Sequence, residues 1–506
     1  MKDLLAYDLG GSSLRLGVVS DSLQLRKLVR FPLSIAGNGY GEYDAEPCKW
    51  WRAFEQGCER LLEEGYDLRQ VSAVVGCGFT RTQVPLDDQG NVVHPAITFQ
   101  DSRGATALQN FLDRVPGGVR ERLQNLSPYH PIARLLWLKE SKPGIWRRVA
   151  KVIEPKDYLN FVLTGVVRSD QISQGPLDDF FHTLENDPCA LDAAGISASI
   201  CPEKISPFSP VGAVRGGLSP VFDKLVGKPV LCGSIDTWAC VLGSGGLSPG
   251  VAYGISGTSD VFGVVTETPV TCDGLISVQW GSNLWQLGGP SQGAASRLEW
   301  ASEQFCSRRP LEDVILKALE SDEEPPIFLP YLDGERTPFW DADLRGAFVG
   351  VSVNHEARDF VRAVAEGLNF LSRVILERAE QAAGIRAKHV CFSGGLSNSV
   401  GLCQLKADIL NRPVFVPESN ESGLIGSASV ALYNSGNISS VAEIVTTAQG
   451  TWYSPNPVTQ EEYSERFEVF KETTRVLRDI SHRLARGRRG GLSSDRREEH
   501  HLSNQG

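Results

Sequence analysis

The chain has 506 residues, enough for two large domains, and its 41% hydrophobic and 22% charged residues are typical of a globular protein. The formal net charge of −11 argues against nucleic acid or an anionic membrane as a main partner, because phosphate groups repel an acidic surface. The eleven cysteines include no CxxC pair, and no export signal or membrane-spanning run is visible, so we expect a cytoplasmic protein with reduced thiols.

The first half of the chain alternates strand-like and helix-like segments. Residues 4–7 and 14–19 predict a β-hairpin, with Asp8 just before its glycine-rich turn. A helical pattern over residues 50–64 is followed by a buried strand over residues 71–76. Strands that alternate with helices predict an α/β architecture.

A further strand and helix precede the predicted domain boundary. Residues 230–232 predict a buried strand, and residues 237–242 predict a helix. A cluster of turn residues follows at 243–250, and a strand-turn-strand pattern, YGISGTSDVFGVV, comes directly after it. We therefore predict one domain over residues 1–245 and a second, which restarts the pattern of the first, over residues 246–485.

The second domain is predicted to contain a long amphipathic helix over residues 357–381, a short strand over residues 389–392 and a helix over residues 402–410. The segment 486–506 has almost no apolar residues, so we predict a disordered tail there. The histidines near its end are expected to belong to this tail rather than to a metal site.

Three glycine-hydroxyl turns stand out: DLGGSS at 8–13, GISGTS at 254–259 and SGGLSNS at 393–399. Glycine lets a phosphate approach the backbone closely, and the N–H groups and hydroxyls of such a turn can donate hydrogen bonds to it. In the first turn, Asp8 precedes the glycines and Arg15 follows the hydroxyls, so an acid, amide donors and a cation come together. This combination favours a magnesium nucleotide, although a plain hairpin turn also fits the first motif.

Several segments in this order resemble the FGGY family of carbohydrate kinases, over about residues 4–435. They are DLGGSSLR, GSIDTWACVLGSG, GISGTS, the stretch from 328 to 352, and SGGLSNSVGLCQLKADILNRPV. The resemblance implies an α/β, actin-like and hexokinase-like (ribonuclease H-like) ATPase fold of two domains with an inter-domain cleft. It also implies ATP-dependent phosphorylation of a small sugar, with Mg²⁺, and homodimerisation. A pentulose such as D-xylulose is the expected acceptor, and gluconate or another sugar acid or polyol is the alternative.

By position, the resemblance implies a role for residues in each motif. Asp236 matches the catalytic aspartate, and Asp8 together with Asp236 matches the acids that hold magnesium. The residues that match the nucleotide site are Gly11, Ser12, Ser13, Arg15, Thr258, Gly394, Gly395 and Ser399. The residues expected at the acceptor are Thr80, Arg81, Asp236 and Thr237.

Asp236 has the chemistry that phosphoryl transfer needs. A carboxylate can orient the attacking hydroxyl and accept its proton, and an aspartate with an ordinary pKa of about 3.9 is ionised at neutral pH. The residue also precedes the predicted helix 237–242, where an aspartate commonly caps the helix N-terminus. Within the GSIDTW motif we favour the base over the cap.

The sequence constrains the acceptor less than the nucleotide. Where xylulokinase-like sequences carry a Gln-Met-His-Gly stretch, this chain has Phe79, Thr80, Arg81 and Thr82. An arginine presents a planar fork of donors suited to a carboxylate or to vicinal hydroxyls, which hints at a sugar acid. A surface arginine on a loop is the alternative. Asp101, in FQDSRG, is expected either to bond a sugar hydroxyl or to pair with the arginine two residues further on.

Two other classes of protein fit parts of the sequence. Residues 289–293 match the G-x-S-x-G nucleophile elbow of serine hydrolases, and aspartates and histidines follow downstream in the required order. In a chain with 51 glycines such a pattern arises easily by chance. A non-catalytic sugar-binding protein of the same fold is the second alternative, and the presence of both Asp8 and Asp236 argues against it.

Overall fold

A computed structural model of the protein describes residues 3–37, 41–124, 126–257, 259–281, 283–306, 311–321, 323–438, 443–444 and 449–502, with side chains up to residue 485. The strands are β1 (Asp3–Leu9), β2 (Ser13–Val19), β3 (Leu25–Pro32), β4 (Ala36–Gly37), β5 (Tyr43–Ala45), β6 (Val71–Gly78), β7 (Val84–Leu86), β8 (Ala96–Ile97), β9 (Lys151–Ile153), β10 (Arg168–Asp170), β11 (Glu203–Ile205), β12 (Pro210–Ala213), β13 (Pro229–Leu231), β14 (Ala252–Ser256), β15 (Asp260–Thr266), β16 (Ile276–Gln279), β17 (Trp285–Pro290), β18 (Ile327–Leu329), β19 (Ala347–Val349), β20 (Val390–Gly394), β21 (Val414–Pro417) and β22 (Gly450–Tyr453). The α-helices are α1 (Pro47–Glu63), α2 (Ala105–Arg114), α3 (Gly117–Arg122), α4 (Pro131–Ser141), α5 (Pro143–Trp146), α6 (Pro155–Thr164), α7 (Gln171–Leu184), α8 (Pro188–Ala194), α9 (Asp236–Gly243), α10 (Ala295–Phe305), α11 (Leu311–Leu319), α12 (Ala357–Ala383), α13 (Val400–Leu410), α14 (Ser422–Asn434) and α15 (Gln460–Leu502). Short 3-10 helices lie at Leu68–Gln70, Ala198–Ile200, Pro220–Phe222 and Gly395–Asn398.

The chain divides into two compact units. The first is Met1–Gly243 with Glu421–Thr447, and the second is Ser244–Asn420 with Ala448–Gly506. Residues 421–447 therefore lie with the first unit, whereas the sequence pattern predicts them in the second domain. Residues 486–502, which the sequence predicts as part of a disordered tail, lie in helix α15, and residues 503–506 fall outside the described part of the chain.

The first unit is built on a six-stranded sheet in the order β12-β13-β6-β1-β2-β3. Strands β1, β2 and β3 are antiparallel neighbours, which confirms the predicted hairpin and extends it by one strand. Strands β6 and β13 continue the sheet parallel to β1. Helix α1 packs on β2 and β3, and α14 packs on β1 and β6. Strand β1 is buried along its whole length, as expected of a strand with neighbours on both edges and helices over the sheet.

The second unit repeats this plan with a seven-stranded sheet in the order β16-β17-β15-β14-β20-β21-β22. Strands β14, β15, β17 and β16 are antiparallel neighbours, and β20 and β21 continue the sheet parallel to β14. Helix α12 packs on β15 and β17, and α13 packs on α12 and β21. The mixed sheets of both units confirm the predicted α/β class.

The local predictions differ from the structure mainly at the ends of elements. The helices predicted over residues 50–64, 357–381 and 402–410 are α1, α12 and α13, and the strand predicted over residues 71–76 is β6. Each boundary is displaced by three residues or fewer. Among the residues that the structure describes, none of the helices is long and apolar enough to cross a membrane.

Candidate active site

The parallel strands of the first unit bring three sequence motifs to one edge of its sheet. In the register of β1 and β6, Asp8 lies opposite Cys77 and Leu9 opposite Gly78. Gly78 donates its N–H to the carbonyl of Ser234 at 3.3 Å, which aligns the chain before Asp236 with the end of β6. The residues that follow β6 are Thr80 and Arg81. The predicted catalytic acids and the predicted acceptor residues therefore share the carboxyl edge of β1, β6 and β13.

The first glycine-hydroxyl turn is closed by a hydrogen bond from the N–H of Gly10 to the carbonyl of Ser13, at 2.9 Å. An added Cβ at Gly11 would meet only side chains, the nearest at 3.4 Å. The hydroxyls of Ser12 and Ser13 make no hydrogen bond with any residue that the structure describes. These hydroxyls are available to an external acceptor such as a phosphate oxygen.

The Arg15 guanidinium forms ion pairs with two carboxylates. Its Nη2 lies 3.0 Å from Asp8 Oδ2, and its Nη1 lies 3.3 Å from Glu421 Oε2. Arg30 pairs with the other oxygen of Glu421. The carboxylates of Asp8 and Glu421 raise the pKa of Arg15 although burial opposes them. Arg15 thus neutralises Asp8, and about a third of its side chain is exposed, which leaves a face for a ligand.

Asp8 is almost completely buried, with 1% of its surface exposed. Burial raises its pKa, Arg15 lowers it, and Glu421 raises it again. Its Oδ1 is buried without a hydrogen-bond partner among the described residues. A Cβ at Gly423 would lie 2.7 Å from Asp8 Oδ2, so only glycine lets helix α14 approach this carboxylate.

Glu421 and Gly423 were not identified from the sequence. They begin the segment ESGLIGSAS, whose small residues recur on one face of a helix. That spacing is a usable signal, because small residues at helical spacing permit close backbone contact. A Cβ at Gly426 would lie 1.9 Å from the carbonyl of Ala239, so α14 and α9 do pack backbone to backbone.

Asp236 is the first residue of α9 and is partly buried. Its Oδ1 accepts hydrogen bonds from the backbone N–H of Thr237 at 2.6 Å and from the Thr237 hydroxyl at 3.2 Å. Burial raises the pKa of Asp236 to about 6, the nearby charge of Asp8 adds to this, and the bonds from Thr237 and the charge of Arg15 oppose it. The ordinary value of about 3.9 expected from the sequence is therefore wrong, since packing desolvates the carboxylate. A buried carboxylate whose proton affinity is raised by a neighbouring carboxylate belongs to a site suited to a cation or a proton.

Arg81 follows β6 in a left-handed backbone conformation, with φ of +57°. Its carbonyl accepts a hydrogen bond from Nη2 of the buried Arg134 at 2.5 Å. Its own guanidinium forms no hydrogen bond or ion pair with the described residues. Burial lowers its pKa, and Glu154 is the carboxylate that opposes this. Arg81 is therefore held by its backbone while its side chain is left for a ligand.

The surroundings of Arg81 are polar and tightly connected. Arg134 also bonds Gln83 Oε1 at 2.6 Å and the carbonyl of Asp101 at 3.2 Å. Burial and the guanidiniums of Arg81 and Arg134 lower the pKa of His130 to about 3, so this imidazole is neutral. Asp101 is fully buried and pairs with Arg103 at 2.6 Å. Of the two roles expected for Asp101, this pairing is the structural one.

The second unit contains the other predicted nucleotide residues. Strands β14 and β20 are paired with Ser256 opposite Gly394, so the turn after β14 lies beside Gly394 and Gly395. A Cβ at Gly394 would lie 2.3 Å from the carbonyl of Ser256, and φ is +96°, so glycine is required there. Ser399 caps α13 through a hydrogen bond from the N–H of Leu402 to its Oγ. Thr258 lies outside the described residues.

A small cavity lies beneath these turns in the second unit. It is lined by Ser256, Asp260, Asn369, Ser372 and Lys406 together with apolar residues of α12 and β20. Its volume of about 30 Å³ holds roughly one water molecule, so it is not itself a nucleotide pocket. Burial lowers the pKa of Lys406, whose ammonium is 3.5 Å from the hydroxyl of Ser372 and faces the rings of Phe262 and Phe392.

The serine-hydrolase interpretation is wrong. Ser291 is 4% exposed, and its hydroxyl bonds the backbone of Asp260 and Gly293. Of the downstream histidines, His355 contacts Ser352 and the carbonyl of Glu324 instead. A nucleophile needs a base within hydrogen-bond reach, and Ser291 lacks one among the described residues.

Comparison with known proteins gives the class to which this site belongs. The chain matches the N-terminal domain of the FGGY family of carbohydrate kinases over residues 4–243 and the C-terminal domain over residues 252–435. The chain belongs to the FGGY family of carbohydrate kinases. It is a sugar kinase, a transferase that uses ATP as co-substrate, as the resemblance in the sequence predicts.

Its relatives include kinases named for two sugars. The chain is 28% identical over 500 residues to a xylulose kinase of Lactococcus lactis, covering 96% of this chain and 99% of that one. It is 24% identical over 520 residues to a gluconokinase of Bacillus licheniformis, covering 97% and 99%. The crystal structure of a xyloylose kinase from Brucella ovis matches with a TM-score of 0.83 at 25% identity, covering 94% and 100%. This likeness confirms the predicted two-domain kinase fold.

Proposed function

We propose that this kinase phosphorylates a hydroxyl of a pentulose such as D-xylulose, with Asp236 as the general base. The xylulose kinase of Lactococcus lactis, similar over nearly the whole of both chains, supports this acceptor. The observation that carries the proposal is the partly buried Asp236 carboxylate, whose pKa is raised to about 6 at the same sheet edge as Asp8 and Arg81. A base with a pKa near the working pH is both ionised and a good proton acceptor.

In the proposed reaction the acceptor hydroxyl donates a hydrogen bond to the Asp236 carboxylate and attacks the γ-phosphoryl group of ATP. The proton passes to Asp236 as the oxygen–phosphorus bond forms, and ADP leaves. The backbone N–H and hydroxyl of Thr237 hold Asp236 Oδ1, so the other oxygen is left to face the acceptor. Thr80 and Arg81 would contact the rest of the acceptor from the end of β6.

The residues predicted to contact the nucleotide include glycine-hydroxyl turns of each unit. The free hydroxyls of Ser12 and Ser13, with the open approach at Gly11, suit the phosphates. In the second unit, a Cβ at Gly395 would have no neighbour closer than 4.0 Å, so its backbone is open to a ligand, whereas Gly394 packs against the carbonyl of Ser256. Ser399 would act through its position at the start of α13, since its hydroxyl already caps that helix.

A divalent cation such as Mg²⁺ fits the two aspartates. Asp8 Oδ1 is buried and unbonded within the described part of the chain, and the charge of Asp8 raises the pKa of Asp236. Asp8 and Asp236 would therefore hold the cation. When bound, Mg²⁺ would neutralise the phosphate charge that builds up during transfer.

Arg81 favours gluconate as a second candidate acceptor. An unpaired guanidinium at the acceptor end of the site matches a carboxylate, which gluconate has and xylulose lacks. The gluconokinase of Bacillus licheniformis is similar over as much of the chain as the xylulose kinase, but at lower identity. Gluconate would therefore depend on the Arg81 guanidinium for binding, whereas xylulose would not.

The test is an ADP-release assay with D-xylulose, other ketoses, gluconate, other aldonates and polyols, run on the native protein and on Arg81→His. If a ketose is the acceptor, the native protein prefers it and Arg81→His changes KM by a few-fold. If a sugar acid is the acceptor, gluconate is preferred and Arg81→His raises its KM by about tenfold or more. Turnover of no sugar in the panel would refute the proposal.

Asp236→Asn tests the base. We expect kcat to fall on the order of 10²-fold to 10⁴-fold with ATP affinity retained, because the amide cannot accept the proton but keeps the shape of the site. Near-normal turnover would show that another group is the base. Homodimerisation stays a prediction, which light scattering coupled to size exclusion would measure.

A further inference from the structure

A lysine ammonium is buried beneath the acid-bearing edge of the first unit. Lys156, in the first turn of α6, is 1% exposed. Its Nζ contacts the Asp157 carboxylate, lies 2.9 Å from Asp170 Oδ2 and lies 3.9 Å from Cys232 Sγ. These three groups offer ligand atoms within 4.8 Å of one another, a spacing that would suit a metal ion. Since the ammonium already lies among them, the protein itself places a cation where a metal ion would bind.

The cluster is charged and closely bonded. Burial opposes the charge of Lys156, but Asp157 and Asp170 outweigh it and raise the pKa of the ammonium. The Asp157 carboxylate also accepts a hydrogen bond from Ser169 at 2.5 Å, and Asp170 accepts the N–H groups of Ile172 and Ser173 at the start of α7. Removal of the ammonium would leave two carboxylates buried without a cation.

Asp170 connects this cluster to the strand end that carries Asp236. Its Oδ1 accepts a hydrogen bond from the hydroxyl of Ser234 at 2.8 Å, two residues before Asp236. The carbonyl of Ser234 in turn accepts the N–H of Gly78, the last residue of β6. Ser234 is 1% exposed, so water cannot replace these bonds freely.

The same helix also holds the strand that carries Asp8. Asn160, one turn after Lys156 on α6, donates to the carbonyl of Cys232 at 3.0 Å. It accepts the hydroxyl of Tyr7 at 2.8 Å, and Tyr7 directly precedes Asp8. Helix α6 therefore hydrogen-bonds the ends of two strands, β1 and β13, at the edge that carries the predicted site. The α6 side chains that form these bonds do not themselves reach that edge.

We propose that Lys156 is a positioning residue for phosphoryl transfer: by holding Asp170 it fixes Ser234 and so the place of the Asp236 carboxylate. This inference rests on the proposed role of Asp236 as the base. Lys156 touches neither acceptor nor nucleotide in this role. A shift of about 1 Å in a reacting group can lower a rate about 10²-fold, so a fixed strand end matters for kcat.

The experiment is a double-mutant cycle on kcat with Lys156→Met, Ser234→Ala and the double variant. Met keeps the length and bulk of the lysine side chain without its charge, and Ala removes only the hydroxyl that reaches Asp170. We expect kcat to fall about tenfold to a hundredfold in Lys156→Met and at least threefold in Ser234→Ala. The double variant should be no slower than Lys156→Met, because both changes break one connection. The KM for ATP should stay within about twofold.

Lys139→Met is the matched control. Lys139 is a half-buried lysine of α4 whose ammonium, among the residues that the structure describes, bonds only the carbonyl of Ala194, so its loss should leave kcat within about twofold. The proposal is overturned if Ser234→Ala turns over at the native rate, or if the effects of the two changes on kcat multiply in the double variant. Ser234→Ala deletes one oxygen atom, so it remains a test even if Lys156→Met does not fold.

Failure of this inference is distinguishable from failure of the proposed function. If Asp236→Asn is inactive and Ser234→Ala turns over at the native rate, only the positioning role of Lys156 is refuted. Full turnover in Asp236→Asn would refute the role of Asp236 as the base, and with it the positioning of that base by Lys156.

Discussion

The pH dependence of kcat/KM offers a quantitative test of the environment of Asp236. The hydroxyl of Thr237 bonds the carboxylate at 3.2 Å and helps to hold its pKa at about 6 against burial. Thr237→Val removes this hydroxyl, keeps the shape of the side chain and keeps the backbone N–H bond. A hydrogen bond to a charged group is worth about 1.4 kcal/mol or more, and 1.36 kcal/mol corresponds to about one pKa unit. We therefore expect the pKa of Asp236 in the variant to rise by about one unit.

The sign follows from the base mechanism. Protonated Asp236 cannot accept the hydroxyl proton, so activity is lost as pH falls through the pKa. With a pKa of about 6, roughly half of the native protein is active at pH 6; with a pKa one unit higher, about a tenth of the variant is active. At pH 8 both are more than nine-tenths ionised.

The assay is kcat/KM between pH 5 and pH 9, which reports the protein without bound substrate, with each protein normalised to its own value at pH 8. The native profile should fall tenfold per pH unit below pH 6, and the ratio of variant to native at pH 6 should be about one fifth. Thr183→Val is the control, because within the described part of the chain that hydroxyl bonds only the carbonyl of Asp179, one turn earlier in α7. If activity falls at the same pH in Thr237→Val as in the native protein, or at a lower pH, the assignment of Asp236 as the base is refuted.

Three more variants test other parts of the site. Gly423→Ala places a methyl group 2.7 Å from Asp8 Oδ2 and should lower kcat at least tenfold in the ADP-release assay, whereas Gly175→Ala, which meets no atom within 4 Å, should not. Asp8→Asn should raise the Mg²⁺ concentration needed for half-maximal rate by tenfold or more, and an unchanged requirement would remove Asp8 from the metal site. Lys406→Met removes an ammonium whose pKa is lowered by burial, although Asp260 favours its charge, so the native free energy of unfolding should rise relative to that of the variant between pH 7 and pH 9.5. Urea titrations of both proteins at the two pH values would measure this change.

The elements that the sequence predicts well are those whose pattern is local. The hairpin of β1 and β2, the helix α12 and the turn at Gly394 each follow from apolar periodicity or from glycine at a tight approach. The order of the three turns also allows the nucleotide residues and Asp236 to be predicted, because each motif is short and contiguous.

What the sequence could not predict depends on contacts between distant segments. The pKa of Asp236 is set by burial and by Asp8, which is 228 residues away along the chain, and no local pattern reports that environment. The pairing of Arg15 with Glu421 spans 406 residues. The sequence around Lys156 has the pattern of an ordinary helix. Only the packed structure places Asp170 and Cys232 around this lysine.

The return of residues 421–447 to the first unit has a consequence for synthesis of the protein. Glu421 and helix α14 leave the ribosome about 400 residues after Arg15, which at about 5–20 residues per second is a delay of roughly 20–80 seconds. In the later part of that time, after β13 has been made, the sheet is complete in sequence, but the faces of β1 and β6 that α14 will cover still lack this helix. A fragment that ends at Gly243, where the N-terminal family domain also ends, would lack this helix permanently. Such a fragment should aggregate or bind chaperones, and supplying residues 421–447 as a separate peptide should reduce both.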